Sequence, residues 1–168
     1  LKLPQEKVEE LCAQFDKVWP VNYNCPGQLV VAGEPGALAA FQGKVKEAGG
    51  RAAPLAVSGG FHSPLMEGAA GQLAGALASV GLREPGIPVY ANATAQPYGG
   101  DMAALLVRQV HSPVRWQETL EALAAQGVDT FYECGPGKTL CGLVKKTLKG
   151  VVAHQVQDAG TLQAVLGR

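Results

Sequence analysis

The stretch VSGGFHSPLM, Val57 to Met66, carries one histidine between a glycine pair and a Ser-Pro step. Before it runs AAPLAVS, residues 52–58, short, apolar and uncharged, which reads as an extended strand. After it, SPLMEGAAGQLAGALASVGL reads as a helix. Ser63 can cap that helix, Pro64 suits the first helical position, and Glu67 puts a carboxylate in the first turn. The order is strand, glycine turn, capped helix. VDTFYECGPG followed by KTLCGLVKKTL, from Val128 onward, repeats it. Strands and helices alternating at this spacing predict an α/β fold with parallel pairing.

Toward the N-terminus, QEKVEELCAQF predicts a helix behind Pro4, with Val8, Leu11, Cys12 and Phe15 as its apolar stripe. VWPVNYN is extended, CPG turns the chain, and QLVVAG is a strand closed by Gly33. EPGALAAFQGKVKEAGG is a helix with Leu38, Phe41 and Val45 inward. With residues 52–58 the first third reads α-β-β-α-β, one strand short of a split β-α-β-β-α-β unit. Toward the C-terminus, IPVYANAT is a strand. A helix capped by Asp101 stops before Pro113, and QETLEALAAQG is a helix ending at Gly127. VDTFYEC has the look of a buried strand. VVAHQV and AGTLQAVLG supply a last strand and a last helix.

The 168 residues are 47% hydrophobic and 17% charged, enough to build a core and too apolar for global disorder. Lys+Arg and Asp+Glu both number 14, which argues against nucleic-acid binding by bulk charge. No apolar run reaches the roughly 18 residues of a membrane span, and the N-terminus lacks a signal-peptide core. Cys12, Cys25, Cys134 and Cys141 form no CxxC pair and read as reduced, mostly buried thiols of a cytoplasmic protein. His and Cys do not cluster at ligand spacing, so no metal is expected.

His62 sits at a strand-to-helix turn, where open α/β sheets place their ligand crevice. A histidine there can act as a general base, or it can simply bond loop backbone; spacing alone leaves both open. ECGPGKTL, with Lys138 behind the glycines, reads first as a structural tight turn and alternatively as a phosphate cradle, although it is no Walker loop. His111 reads as a surface or helix-capping residue, and His154 as a satisfied core histidine. Lys145 and Lys146 form a solvated face or a dock for an acidic partner. No GxSxG or GHSxG elbow occurs, and Ser63 is better placed to cap a helix than to be the nucleophile of its own neighbour.

Taken in order, VNYNCPGQLVVAG, VSGGFHSPLM, VYANATA, LLVRQVHSPVRW and FYECGPGKTLCGLVKK resemble successive blocks of the malonyl-CoA:acyl-carrier-protein transacylases of fatty acid synthesis. The acyltransferase domains of polyketide synthases are more distantly similar. The resemblance implies an α/β-hydrolase-like large subdomain with an inserted ferredoxin-like small subdomain. Residues 1–57 would be the small subdomain without its first strand, and residues 58–168 the C-terminal half of the large one. It implies malonyl transfer from coenzyme A to the carrier protein's phosphopantetheine thiol through a seryl ester. His62 matches the base, and Gln109 the residue whose main-chain carbonyl orients it. Phe61 would fill the space that an α-methyl needs, favouring malonyl, and Asn92 lies in a block bordering the pocket, where it could contact substrate or cap a turn.

The family's GHSxGE elbow, its malonyl-binding arginine and its early oxyanion-hole glutamine match nothing here. The expectation is therefore a C-terminal part, inactive alone, whose partners are acyl carrier protein, malonyl-CoA and the N-terminal half of the same enzyme. No cofactor is expected beyond malonyl-CoA as substrate. Three rivals remain: a non-catalytic module docking the carrier protein through Lys138, Lys145 and Lys146, a polyketide synthase-type acyltransferase fragment, and a phosphate-binding domain built on CGPGK.

Overall fold

Val8, Leu11 and Cys12 recur at helical spacing, and all three are buried on one face of α1 (Gln5–Cys12). That face lies on a hairpin of β1 (Val18–Cys25) and β2 (Gln28–Gly33), paired antiparallel from Val18↔Gly33 to Cys25↔Gln28. α2 (Pro35–Glu47) adds Phe41 and Val45, closing a core with Leu3 and Val18. Phe15 and Phe41 meet edge to face with centroids 6.0 Å apart. The hairpin closes tightly at its open end: a Cβ on Gly33 would stand 2.3 Å from the Lys17 carbonyl oxygen.

Residues 1–167 are described in this computed structural model, and they divide into two compact units. The first is Leu1–Thr119 and the second begins at Leu120. Beyond α2, the first unit holds a short 3-10 turn (Pro64–Met66) running into α3 (Glu67–Leu77). Next come a small antiparallel pair, β3 (Tyr90–Ala91) with β4 (Gln96–Pro97), and α4 (Met102–Val110), which packs on α3. Asp101 caps α4 as expected, its Oδ1 accepting from Ala104 N at 2.9 Å. Val114 bonds β1 on both sides, donating to Val21 O at 2.8 Å and accepting from Tyr23 N at 2.9 Å. α5 (Trp116–Ala125) runs across the division in the chain. The second unit pairs β5 (Thr130–Cys134) with β6 (Val152–Val156) in parallel, with α6 (Thr139–Thr147) between them and α7 (Ala159–Leu166) after them.

The result is a mixed α/β fold, and it departs from the sequence expectations in four places. Residues 52–58 form no strand, and Leu55 and Val57 are 59% and 61% exposed. IPVYANAT contributes only two strand residues, and its partner is the next segment of chain rather than a parallel neighbour. β5 is not buried: Tyr132 is 54% exposed and stacks on His154, directly opposite it in register, with centroids 5.2 Å apart. His154 is accordingly only half-buried, not a core histidine. One cause covers all four. A strand requires a neighbour to bond and a layer to cover it, and apolar composition supplies neither. Of the three strand pairs described, only β5–β6 is parallel.

None of the four cysteines forms a disulfide; Cys12, Cys25 and Cys141 are buried and Cys134 is exposed. No described helix is long and apolar enough to cross a membrane.

Candidate active site

The turn before the 3-10 segment is fixed by Ser63. Its hydroxyl donates to Gly60 O at 2.5 Å and accepts from Leu65 N at 3.3 Å, and the residue is 1% exposed. Its proton and one lone pair are used on the turn, which makes Ser63 the cap of the segment that follows. A Cβ on Gly60 would sit 2.7 Å from Leu65 Cδ1 and 3.1 Å from Ser63 Oγ, so the half-exposed Leu65 side chain would have to shift to admit it.

Between them, His62 adopts φ = 61°, the left-handed region that non-glycine residues avoid. This conformation accompanies an imidazole whose Nδ1 lies 2.9 Å from the Gln109 carbonyl oxygen. A carbonyl can only accept, so Nδ1 carries a proton, and in the neutral ring the lone pair is on Nε2. Gln109 lies in the last turn of α4, and the amide that would complete its i→i+4 bond belongs to residue 113. That residue is proline and has no N–H. Pro113 thus leaves the Gln109 carbonyl without an intrahelical donor, and His62, 47 residues earlier, donates to it. The Gln109 side chain does something else: its Oε1 accepts from the Tyr98 hydroxyl at 3.1 Å.

The other candidate residues fall as follows. Phe61 is 47% exposed beside His62. Asn92 exposes its side chain, while its carbonyl accepts from Arg115 N at 2.9 Å. The turn there is capped by Thr94 Oγ1, which accepts from Gln96 N at 3.3 Å. Arg115 pairs with Glu118 and donates to Thr94 O, tying the same turn down from outside. His111 is the C-cap of α4 and lines an open groove of about 470 Å³ between α3 and α4 with Asp101 and Arg108; His62 is not among its walls. Lys145 and Lys146 occupy the last turn of α6, where the helix dipole favours cations. No group of three or more His, Cys, Asp or Glu among the described residues could hold a metal ion. Burial pushes the Cys12 thiol up to about 12 and raises Cys141 as well, so neither is a ready thiolate.

The CGPGK turn answers the phosphate rival. At the start of α6, Leu140 N and Cys141 N donate to the Glu133 carboxylate at 3.0 and 2.7 Å. These are the amides a phosphate would need, and they already hold an anion. Glu133 was not legible as a functional residue, because a cap normally precedes its helix by one residue and this one reaches across the turn from β5. The Cys141 amide first, with Leu140 and Thr139 behind it, holds the Glu133 carboxyl below the usual carboxylate range. A depressed carboxylate pKa stabilises the fold above the ordinary value, and that share is lost as pH falls through the depressed one. Glu133→Gln should therefore lower the thermal midpoint at pH 7, with the gap to the parent closing as both are taken into acid. A gap constant from pH 7 to pH 3 would contradict the cap. Asp158, depressed by the Thr161 amide at the start of α7, adds a separate share that Glu133→Gln leaves intact.

A family model described as the acyl transferase domain matches residues 1–167. The chain belongs to that acyl transferase family. Among the family's curated members, the malonyl CoA-acyl carrier protein transacylase of Haemophilus influenzae is 41% identical over 169 residues, covering 97% of this chain and 54% of that protein. The transacylase of the same name from Escherichia coli K12 is 39% identical over 163 residues, covering 95% and 53%. The crystal structure of the malonyl CoA-acyl carrier protein transacylase of Clostridium perfringens superposes with a TM-score of 0.96 at 36% identity, over 99% of this chain and 54% of that one. This acyl transferase chain thus spans about half the length of the relatives it matches.

Proposed function

We propose that these residues are the base-bearing half of a malonyl-CoA:acyl-carrier-protein transacylase of fatty acid synthesis, with the serine nucleophile outside these 168 residues. The observation that carries the reading is the 2.9 Å contact from His62 Nδ1 to the Gln109 carbonyl. It fixes the tautomer that leaves Nε2 free to take a proton. The names of the relatives supply the acyl group and its acceptor.

In this mechanism the serine hydroxyl gives its proton to His62 Nε2 as its oxygen attacks the malonyl thioester carbonyl. Collapse of the tetrahedral intermediate expels the coenzyme A thiolate, which takes the proton from the imidazolium. The carrier protein's thiol then gives its proton to Nε2 and attacks the seryl ester, and the serine leaves by recovering that proton. Gln109 holds the ring through backbone alone, in the place an acid occupies in a Ser-His-Asp triad. Phe61, beside His62, fills the space an α-methyl would need, and Asn92 borders the acyl pocket.

In the same reading, residues 1–57 are a ferredoxin-like small subdomain inserted into an α/β-hydrolase-like large one, to which residues 58–168 belong. The antiparallel β1–β2 hairpin under α1 and α2 supports the first assignment. The parallel β5–β6 pair with α6 between supports the second. The nucleophile-bearing half would supply the strands that residues 52–58 and β5 lack. A cytoplasmic location fits four cysteines that form no disulfide.

The test is malonyl transfer from radiolabelled malonyl-CoA to holo carrier protein. The chain alone should transfer nothing above background, and adding a nucleophile-bearing N-terminal half from a relative should produce a malonyl-serine adduct and turnover. Transfer by the chain alone would overturn the division of labour, and no adduct from a folded, assembled pair would overturn the function.

A further inference from the structure

The Gln109 side chain has no part in the proposed chemistry, yet it is not idle. Its Oε1 accepts from the Tyr98 hydroxyl at 3.1 Å, and Tyr98 is itself anchored, donating from its main-chain N to Val89 O at 2.7 Å. Tyr98 lies just past β4 and ahead of the Asp101 cap of α4, whereas Gln109 lies in the last turn of that helix. The two are 11 residues apart, so the bond links the loop before α4 to the far end of the helix.

That end is where restraint is required. A helix's last carbonyls lack intrahelical donors and its last turn frays, and Pro113 removes the amide that would otherwise hold Gln109. A carbonyl free to tilt would lose its line to His62 Nδ1. We infer that Tyr98 is a positioning residue for the proposed base: its hydroxyl, through the Gln109 side chain, holds the last turn of α4 so that the Gln109 carbonyl stays on His62 Nδ1. The inference rests on His62 being that base. Half-burial raises the Tyr98 phenol above its ordinary value, so the donor keeps its proton throughout the neutral range.

The experiment reads the imidazole directly. Tyr98→Phe removes one oxygen and keeps the ring. In 15N spectra of the whole chain, His62 of the parent should show a protonated Nδ1 and a free Nε2 in its neutral form, and Tyr98→Phe should shift that tautomer ratio toward an even mixture. In the enzyme completed by the nucleophile-bearing half, Tyr98→Phe should lower kcat for acylation about three- to tenfold, the size of one lost neutral hydrogen bond, with KM for malonyl-CoA unmoved. Gln109→Ala should do the same, and the double variant should be no slower than Gln109→Ala alone. Additive losses, or an unchanged tautomer ratio in Tyr98→Phe, would overturn the inference. A completed enzyme indifferent to His62→Ala would instead overturn the base assignment, and the tautomer response to Tyr98→Phe would still stand or fall by itself.

Discussion

His62→Ala, made in the completed enzyme that we propose, is expected to lower the rate of malonyl-serine formation by about a thousandfold, the middle of the range for a lost general base. Ala is a fair replacement because it carries a Cβ, and the left-handed backbone at position 62 disfavours it about as much as histidine. The loss then reports the imidazole and not a relaxed loop. Ser63→Ala is the paired control. It removes a buried cap and should cost about 1 kcal/mol of stability, while acylation stays within tenfold of the parent. The measurement is single-turnover acylation by quench and mass spectrometry. His62→Ala within tenfold of the parent would sink the assignment of the base. Ser63→Ala as inert as His62→Ala would reopen Ser63 as a nucleophile.

Gly33→Ala should be the most damaging small change to the fold. The new Cβ would lie 2.3 Å from Lys17 O and 3.1 Å from Val18 Cα, both backbone, so no rotamer change relieves the overlap. The strand ends at Val18↔Gly33 must part. The same Lys17 carbonyl accepts from Glu34 N at 3.1 Å, and Lys17 Nζ meets Glu34 Oε1 at 2.5 Å, so the separation disturbs the entry to α2 as well. Overpacking of this kind costs about 2 kcal/mol, lowering Tm by about 4–8 °C in a chain of this size. Gly43→Ala is the contrast: it lies inside α2 with nothing within 4 Å of its Cβ, and should stabilise by about 0.5–1 kcal/mol. Equal midpoints for the two variants would contradict the close approach at Gly33.

The first 50 residues were largely legible because their signals are local. Val8, Leu11 and Cys12 mark one helix face, CPG marks a hairpin, and Phe41 with Val45 marks the face that covers it. Where burial depends on a neighbouring strand the reading failed, as at Leu55 and Tyr132. Apolar composition records that a surface is to be covered, not by what. The site shows the same limit. His62 could be singled out from its turn, but nothing local connects it to Gln109, and resemblance to a family supplied that pairing. One local signal was present unread: a proline four residues after Gln109 predicts an orphan carbonyl there. For Tyr98 no such signal exists, since its partner is set by the path of the loop ahead of α4.

The left-handed backbone at His62 has a consequence for how this protein could change. A β-carbon in that conformation costs roughly 1–2 kcal/mol, which glycine would recover. Stability and chemistry therefore oppose each other at one codon. A population screened only for heat resistance should drift to glycine or asparagine at position 62, and it would gain in melting temperature while losing the proton acceptor. Any stabilised descendant that keeps histidine there must find its margin elsewhere in the fold.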